Sequence, residues 1–230
     1  YTYIRPMRGH RIIILYILTI WSRLSSGQSE VFQKTNYTVS HGLPSQTVYN
    51  AIQDREGFLW VCTDAGVSRF DGNKFTNYNT NHGLGENEIL DLYSDSRGRI
   101  WFLPFYGKIS YWQSKKFYTS RNDSTLTDLA AQTGIRHMTE DRNKNLIFFS
   151  ESDCHQIMIM DSMNKVSALS VPDWFDRSDC LIKMWLDQNQ EANFASRKGK
   201  ILTLNGNSFQ LAPRLNESSQ YDRIILSADL

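Results

Sequence analysis

Four polar residues share one spacing, each four positions ahead of an aspartate: Asn50 before Asp54, Asp91 before Asp95, His137 before Asp141 and Lys183 before Asp187. An amide, a carboxylate, an imidazole and an ammonium at equivalent places can orient a polar ligand if the fold gathers them around one axis. The columns beside them are mostly apolar: Val48, Ile89, Ile135 and Leu181 on one side, Ala51, Leu92, Met138 and Met184 on the other. A polar ring of this kind fits the wall of a central channel. Polar walls are equally what a water-filled channel needs with no ligand at all.

Other constellations carry less chemistry. His41 and His82 occupy the same loop of two successive units, which favours loop packing over a metal pair. Asp141 to Asn145 opens like a calcium loop, but Leu146 stands where glycine is needed and Ser152 where the bidentate glutamate belongs. Ser, His and Asp are present without a G-x-S-x-G elbow to assemble them, so no catalytic residue is assigned. The three cysteines include no Cys-x-x-Cys pair for zinc. Cys62 reads as a small buried strand residue, while Cys154 and Cys180 lie outside the repeated frame and could bridge in an exported protein. No metal or cofactor is expected.

These residues need a scaffold, and composition narrows it. The 230 residues are 40% apolar, enough for a core, and 13% aromatic with six Trp, a balance suited to β-sheets joined by tight turns. Twenty-five Lys and Arg against 24 Asp and Glu leave a formal charge of +1, with no bulk field for tracking nucleic acid, so no nucleic-acid partner is expected.

The scaffold repeats. Thr35–Tyr37 and His41–Leu43 recur as Thr76–Tyr78 and His82–Leu84, a shift of 41 residues. The same shift carries Asp54 to Asp95, Gly57 to Gly98, Trp60 to Trp101, Gly66 to Gly107 and Phe70 to Tyr111. The D-x-x-G-x-x-W frame degenerates at Asp141 and Asp187, with Gly199 keeping the distance that separates Trp60 from Gly66, and Asp229 opens a further copy. Residues at one fixed phase read as scaffold. The third unit lacks both the turn glycine and the tryptophan, and the extra length of the middle copies is assigned to loops.

Each unit divides at its turn signals into four β-rich runs, in the first unit Thr47–Gln53, Phe58–Thr63, Val67–Phe70 and Lys74–Tyr78. Asp54 can accept a backbone N–H two residues on, and Gly57 can close the hairpin in the left-handed conformation. Phe58–Thr63 lacks the alternation of a sheet with one wet face, so both faces should be covered. Four-stranded antiparallel units of about 40 residues, stacked face to face, predict an all-β propeller. No helical periodicity runs through the units. The expected repeats span 41–81, 82–120, 121–170, 171–212 and 213–230, an unclosed arc of four to five blades. Glu30–Val39 should be the outer strand of the closing blade.

Residues 1–28 read as an address. Ile12–Ile20 is a short apolar core behind Arg5, Arg8 and Arg11 and ahead of small residues, with Ser25 and Gly27 placed for a cut before Gln28. Met7 is the expected true start. The remainder, 29–230, should then meet an exported compartment. Asn36, Asn122 and Asn216 begin N-x-S/T triplets, which matter only in a glycosylating host.

Val48–Gly72 and, less closely, Ile89–Trp112 resemble two-component regulator propeller repeats, found in the exported sensor regions of bacterial sensor histidine kinases, many of the Bacteroidetes type. The resemblance implies a non-catalytic, ligand-sensing propeller on the periplasmic face of the inner membrane, tied to the membrane through the rest of its receptor. It implies signalling by phosphorelay through domains that this sequence does not contain. The implied partners are a small polar ligand, a glycan by analogy, and a second copy of the receptor in a homodimer. A propeller enzyme acting on carbohydrate, a glycosidase or lyase, and a structural or adhesive propeller are the alternatives.

Overall fold

The computed structural model describes residues 35–130, 134–150 and 152–212. The chain divides into two units, Tyr1–Asn36 and Tyr37–Leu230, and the second carries every element below. The address segment 1–28 and the fifth repeat, 213–230, lie outside the described residues, as does the first half of the expected closing strand, residues 30–34. Its described part, Thr35–Val39, is not in a strand, and Val39 opens a 3-10 turn, so the expectation of an outer strand fails there.

Among the described residues, sixteen strands form four antiparallel four-stranded sheets, each running in sequence order from one edge to the other. Blade 1 comprises β1 (Val48–Gln53), β2 (Leu59–Thr63), β3 (Gly66–Phe70) and β4 (Phe75–Tyr78). Blade 2 comprises β5 (Ile89–Ser94), β6 (Ile100–Pro104), β7 (Ser110–Gln113) and β8 (Lys116–Tyr118). Blade 3 comprises β9 (Ile135–Glu140), β10 (Leu146–Ser150), β11 (Gln156–Met160) and β12 (Val166–Ser170). Blade 4 comprises β13 (Leu181–Leu186), β14 (Ala192–Ser196), β15 (Ile201–Asn205) and β16 (Ser208–Leu211). The first strands neighbour one another in order, β1 beside β5, β5 beside β9 and β9 beside β13, so they form the inner wall. This is a β-propeller whose four described blades leave the ring unclosed.

Three apolar cores hold the blades together, one per seam. Trp60, Cys62 and Val67 of blade 1 meet Ile89, Leu92, Ile100 and Phe102 of blade 2. Trp101 and Leu103 meet Leu146, Phe148 and Met160 of blade 3, and Ile147 and Phe149 meet Leu181, Phe194 and Leu202 of blade 4. Alternate residues of β6 and β10 therefore serve opposite seams, which is why these runs are apolar apart from the terminal Ser150 and buried along their whole length.

The recurring aspartate does more than close a turn. In blade 1, Asp54 Oδ1 accepts the N–H groups of Glu56 (3.0 Å) and Phe58 (2.9 Å), and Oδ2 accepts the Trp60 indole N–H (2.8 Å). Asp95 repeats the pattern with Arg97, Arg99 and Trp101. The frame thus ties a turn carboxylate to the tryptophan that fills the seam. Gly57 and Gly98 sit at φ +89° and +77°. The degenerate copies keep the turn without glycine: Lys144 (φ 65°) and Gln190 (φ 60°) take its place, and Asp141 and Asp187 each still accept two backbone N–H groups. Where Trp is missing from blade 3, the Asn145 side chain donates to Asp141 Oδ2 instead (2.9 Å). The third blade is complete because a carboxylate and four positions of spacing suffice for its turn. Gly66 is needed for space as well as conformation, since a Cβ there would run into the Tyr78 carbonyl.

Two further expectations change. Phe70 answers to Trp112, not Tyr111: Leu59 pairs with Phe70 and Ile100 with Trp112. Blade 2 carries one more residue after Gly107, which slides the remaining register. Arg69 then matches Tyr111, and a cation–ring contact has its members exchanged: the Arg69 guanidinium lies 3.3 Å from the Phe58 ring centre, the Arg99 guanidinium 5.3 Å from that of Tyr111. The second change is a helix. α1 (Thr125–Ala130) lies between β8 and β9, where Asp123 Oδ1 accepts the Thr125 N–H (2.9 Å) and the fully buried Leu126 and Leu129 join the core of the second seam. Six residues are too few to show a period in the sequence. Among the described residues no helix is long and apolar enough to cross a membrane.

Candidate functional site

A β-bulge recurs at one place in all four blades. Val48 pairs with Thr63 and Asn50 with Cys62, skipping Tyr49. Leu90, Arg136 and Ile182 are skipped in the same way. Each bulge directly precedes one of the four predicted site residues, Asn50, Asp91, His137 and Lys183. A bulge bends its strand and re-aims the next side chain, so the backbone sets this column apart as firmly as the residue types do.

The structure brings the first two together: Asn50 Nδ2 donates to Asp91 Oδ1 at 2.5 Å, across the seam between blades 1 and 2. Each side chain also accepts the next backbone N–H, from Ala51 (2.7 Å) and Leu92 (2.8 Å). His137 stands over Phe149 with ring centres 5.8 Å apart and planes 18° from parallel. Lys183 holds the equivalent place in β13, opposite Ala195.

The bulge residues add groups that sequence reasoning missed. The Tyr49 hydroxyl donates to Glu88 Oε1 (3.0 Å), and that bond, ahead of burial and the charge of Glu88, raises the phenol above its usual range. The Arg136 guanidinium lies 4.7 Å from the Phe105 ring centre. Tyr49, Glu88, Phe105 and Arg136 all sit at the end of the blades where the first strands begin. The signal was the skipped residue, which a period-two reading of the strand does not reveal.

The remaining sequence candidates fall into structural roles. The imidazole Nδ1 atoms of His41 and His82 accept the Thr38 and Asn79 N–H groups, both at 3.2 Å, closing matching 3-10 turns. The Asp141 carboxylate is spent on its own turn. Cys154 and Cys180 form a disulfide with Cα atoms 5.2 Å apart, joining the β10–β11 connection to the approach to β13. Cys62 is buried, and burial is the main reason its thiol is pushed up to about 12. Among the described residues no three His, Cys, Asp or Glu side chains gather as a metal site.

Comparison with known proteins bears on the repeats. Residues 42–65 and 83–104 match the family model described as two component regulator propeller. Those segments are two-component regulator propeller repeats. They cover the tight turns, the β1–β2 and β5–β6 hairpins and the Asp–Trp frames described above. A search of curated proteins finds no match. Among solved structures, the chain is similar to the extracellular domain of a protein described as a hybrid two component system from B. thetaiotaomicron, at 12% identity and TM-score 0.49, over 76% of this chain and 31% of that one. It is also similar to virginiamycin B lyase from Staphylococcus aureus, at 17% identity and TM-score 0.52, over 75% and 57%, and to PorZ from Porphyromonas gingivalis, at 15% identity and TM-score 0.50, over 76% and 28%. The last two show the propeller fold. The chain spans about 30% of the length of the first structures it matches.

Proposed function

We propose that this propeller is the non-catalytic, ligand-sensing region of a two-component sensor histidine kinase, working outside the cytoplasmic membrane. The observation that carries the reading is the family match over the first two strands of blades 1 and 2, joined to a polar column that follows a repeated bulge in the first strand of each blade. The column combines an amide, a carboxylate, an imidazole and an ammonium, which suits a small polar ligand bearing several hydrogen-bonding groups, a glycan fragment being one such class. Export rests on the pattern of residues 1–28. The receptor would work as a homodimer, ligand binding favouring one of two arrangements by its difference in affinity for them and so controlling a phosphorelay inside the cell. The column offers hydrogen bonds and charge for binding; no nucleophile with its activating base is assembled in it.

The test is a pair of alleles in the native host, Asp91→Ala and Lys183→Ala, with transcription recorded as the carbon source is varied. The reading expects each allele to lose or shift one specific response while basal output and protein abundance stay near wild type. Unchanged responses in both alleles would overturn it.

A further inference from the structure

Charge is balanced over the whole chain but not over one groove. The groove runs along the outer side of blade 2, encloses about 810 Å³, and is floored by Trp112, Phe117 and Tyr78. The Trp112 ring lies 4.7 Å from Phe117 and 5.3 Å from Tyr78, centre to centre, with planes 66° and 47° apart, so they form an angled aromatic cluster in which Phe117 is buried and Trp112 and Tyr78 stay partly exposed. Lys108, Lys115, Lys116 and Arg121 line the same groove, with Glu86 the one acidic residue beside them. All four cations are exposed, and none forms an ion pair with a described residue. Four cations against one carboxylate leave a local excess of three positive charges, in a protein whose total is +1.

Lys115 is held there by an unusual turn. The two-residue β7–β8 connection places Ser114 at φ 49° and Lys115 at φ 62°, a conformation that Asn-Gly adopts far more readily. Lys115 and Trp112 also line a second cleft, of about 410 Å³, at the seam between blades 1 and 2. That cleft has a local cause. At the next seam Arg97 reaches across to the Lys144 and Asp161 carbonyls and to Asn164, whereas its repeat counterpart, Glu56, turns back to Arg69 (3.1 Å). The first seam therefore lacks the latch that closes the second.

We propose that the groove over Trp112 binds an anionic ligand with a flat apolar face, an aryl phosphate or aryl carboxylate being the simplest class. The apolar face would pack on the exposed part of Trp112, with Tyr78 at its edge, and the anion would meet Lys108, Lys115 and Arg121. Unpaired like charges in one concavity repel one another and focus a positive potential, which an anion relieves. Stacking on the rings supplies the second contact, one that a free inorganic anion cannot make. None of Asn50, Asp91, His137 and Lys183 lines this groove, so the site is separate from the inner polar column.

The experiment uses the 230-residue chain and three probes in calorimetric titration: 1-naphthyl phosphate, the neutral 1-naphthalenemethanol, and inorganic phosphate. Saturable binding of naphthyl phosphate, with both partial probes at least about tenfold weaker, is expected where ring and anion contacts act together. The paired change Lys108→Glu with Lys115→Glu should weaken naphthyl phosphate by at least about tenfold, two reversed charges at one site. Lys165→Glu, an exposed change on blade 3, should leave binding as it is, and Lys115→Gln should give a smaller loss without charge reversal. An unaltered melting temperature separates lost binding from lost folding. Equal binding by wild type and the reversed pair, equal binding of the neutral probe, or an equal loss in Lys165→Glu would each overturn the proposal.

Discussion

Asp95→Ala removes one buried carboxylate and strands four donors. Oδ1 accepts the Arg97 and Arg99 N–H groups, each at 2.9 Å, and Oδ2 accepts Arg99 Nε (2.6 Å) and Trp101 Nε1 (2.9 Å). Asp95 is 1% exposed and Arg99 4%, so the guanidinium would be left inside without its counter-charge. Breaking such a buried pair costs about 3 to 5 kcal/mol. Asp71 offers the comparison, because its Oδ1 accepts two turn N–H groups at 2.8 Å on an exposed hairpin where water can replace it. Urea unfolding followed by tryptophan fluorescence should show a large loss for Asp95→Ala and a small one for Asp71→Ala. Adding Arg99→Met to Asp95→Ala should recover part of the loss by removing the stranded charge. Equal effects of the two aspartates, or no recovery in the double variant, would refute the claim that the carboxylate anchors seam and turn together.

Replacing Cys154 and Cys180 together by Ala releases a loop with a sequence separation of 26 and should cost about 3.5 kcal/mol by loop entropy, read as a lower urea midpoint that reductant reproduces in the wild type. Cys62 should resist a thiol reagent in the folded protein and react fully on unfolding, since burial holds its thiol near 12. Burial works against ionising Asp179, but hydrogen bonds from Ser196 and from the Cys180 and Lys198 N–H groups outweigh it, and the carboxyl falls below its ordinary value. A lowered folded pKa adds stability that is complete above the unfolded value of about 3.9 and is lost as pH falls through the folded one. Acid unfolding should therefore steepen below about pH 4, and Asp179→Asn should flatten that slope.

Much of the fold was legible because the same few residues recur at one phase. Asp54, Gly57 and Trp60 announce turn, hairpin and seam, and their second copy fixes the repeat. What stayed hidden depends on register. The extra residue after Gly107 slides Tyr111 and Trp112 by one position, and nothing in the local sequence marks it. The helix at Thr125–Ala130 is too short to show a period and becomes stable by burying Leu126 and Leu129. Lys144 and Gln190 adopt left-handed turns that glycine would signal, because the hydrogen bonds of Asp141 and Asp187 hold the backbone there. The polar column was readable from residue types, and the Asn50–Asp91 contact follows from its 41-residue spacing. The bulge that aims the column, and with it Tyr49 and Arg136, emerges only from strand pairing.

The central claim, that this propeller senses a ligand for a kinase, is tested most directly by reading the gene through on the 3′ side of this segment in its native host. The account predicts the remaining blades, then a run of about 20 apolar residues to cross the membrane, and then a phosphorylatable histidine with a glycine-rich nucleotide-binding segment. A frame that ends after the last blade, or continues into a catalytic domain with no membrane span, would contradict it.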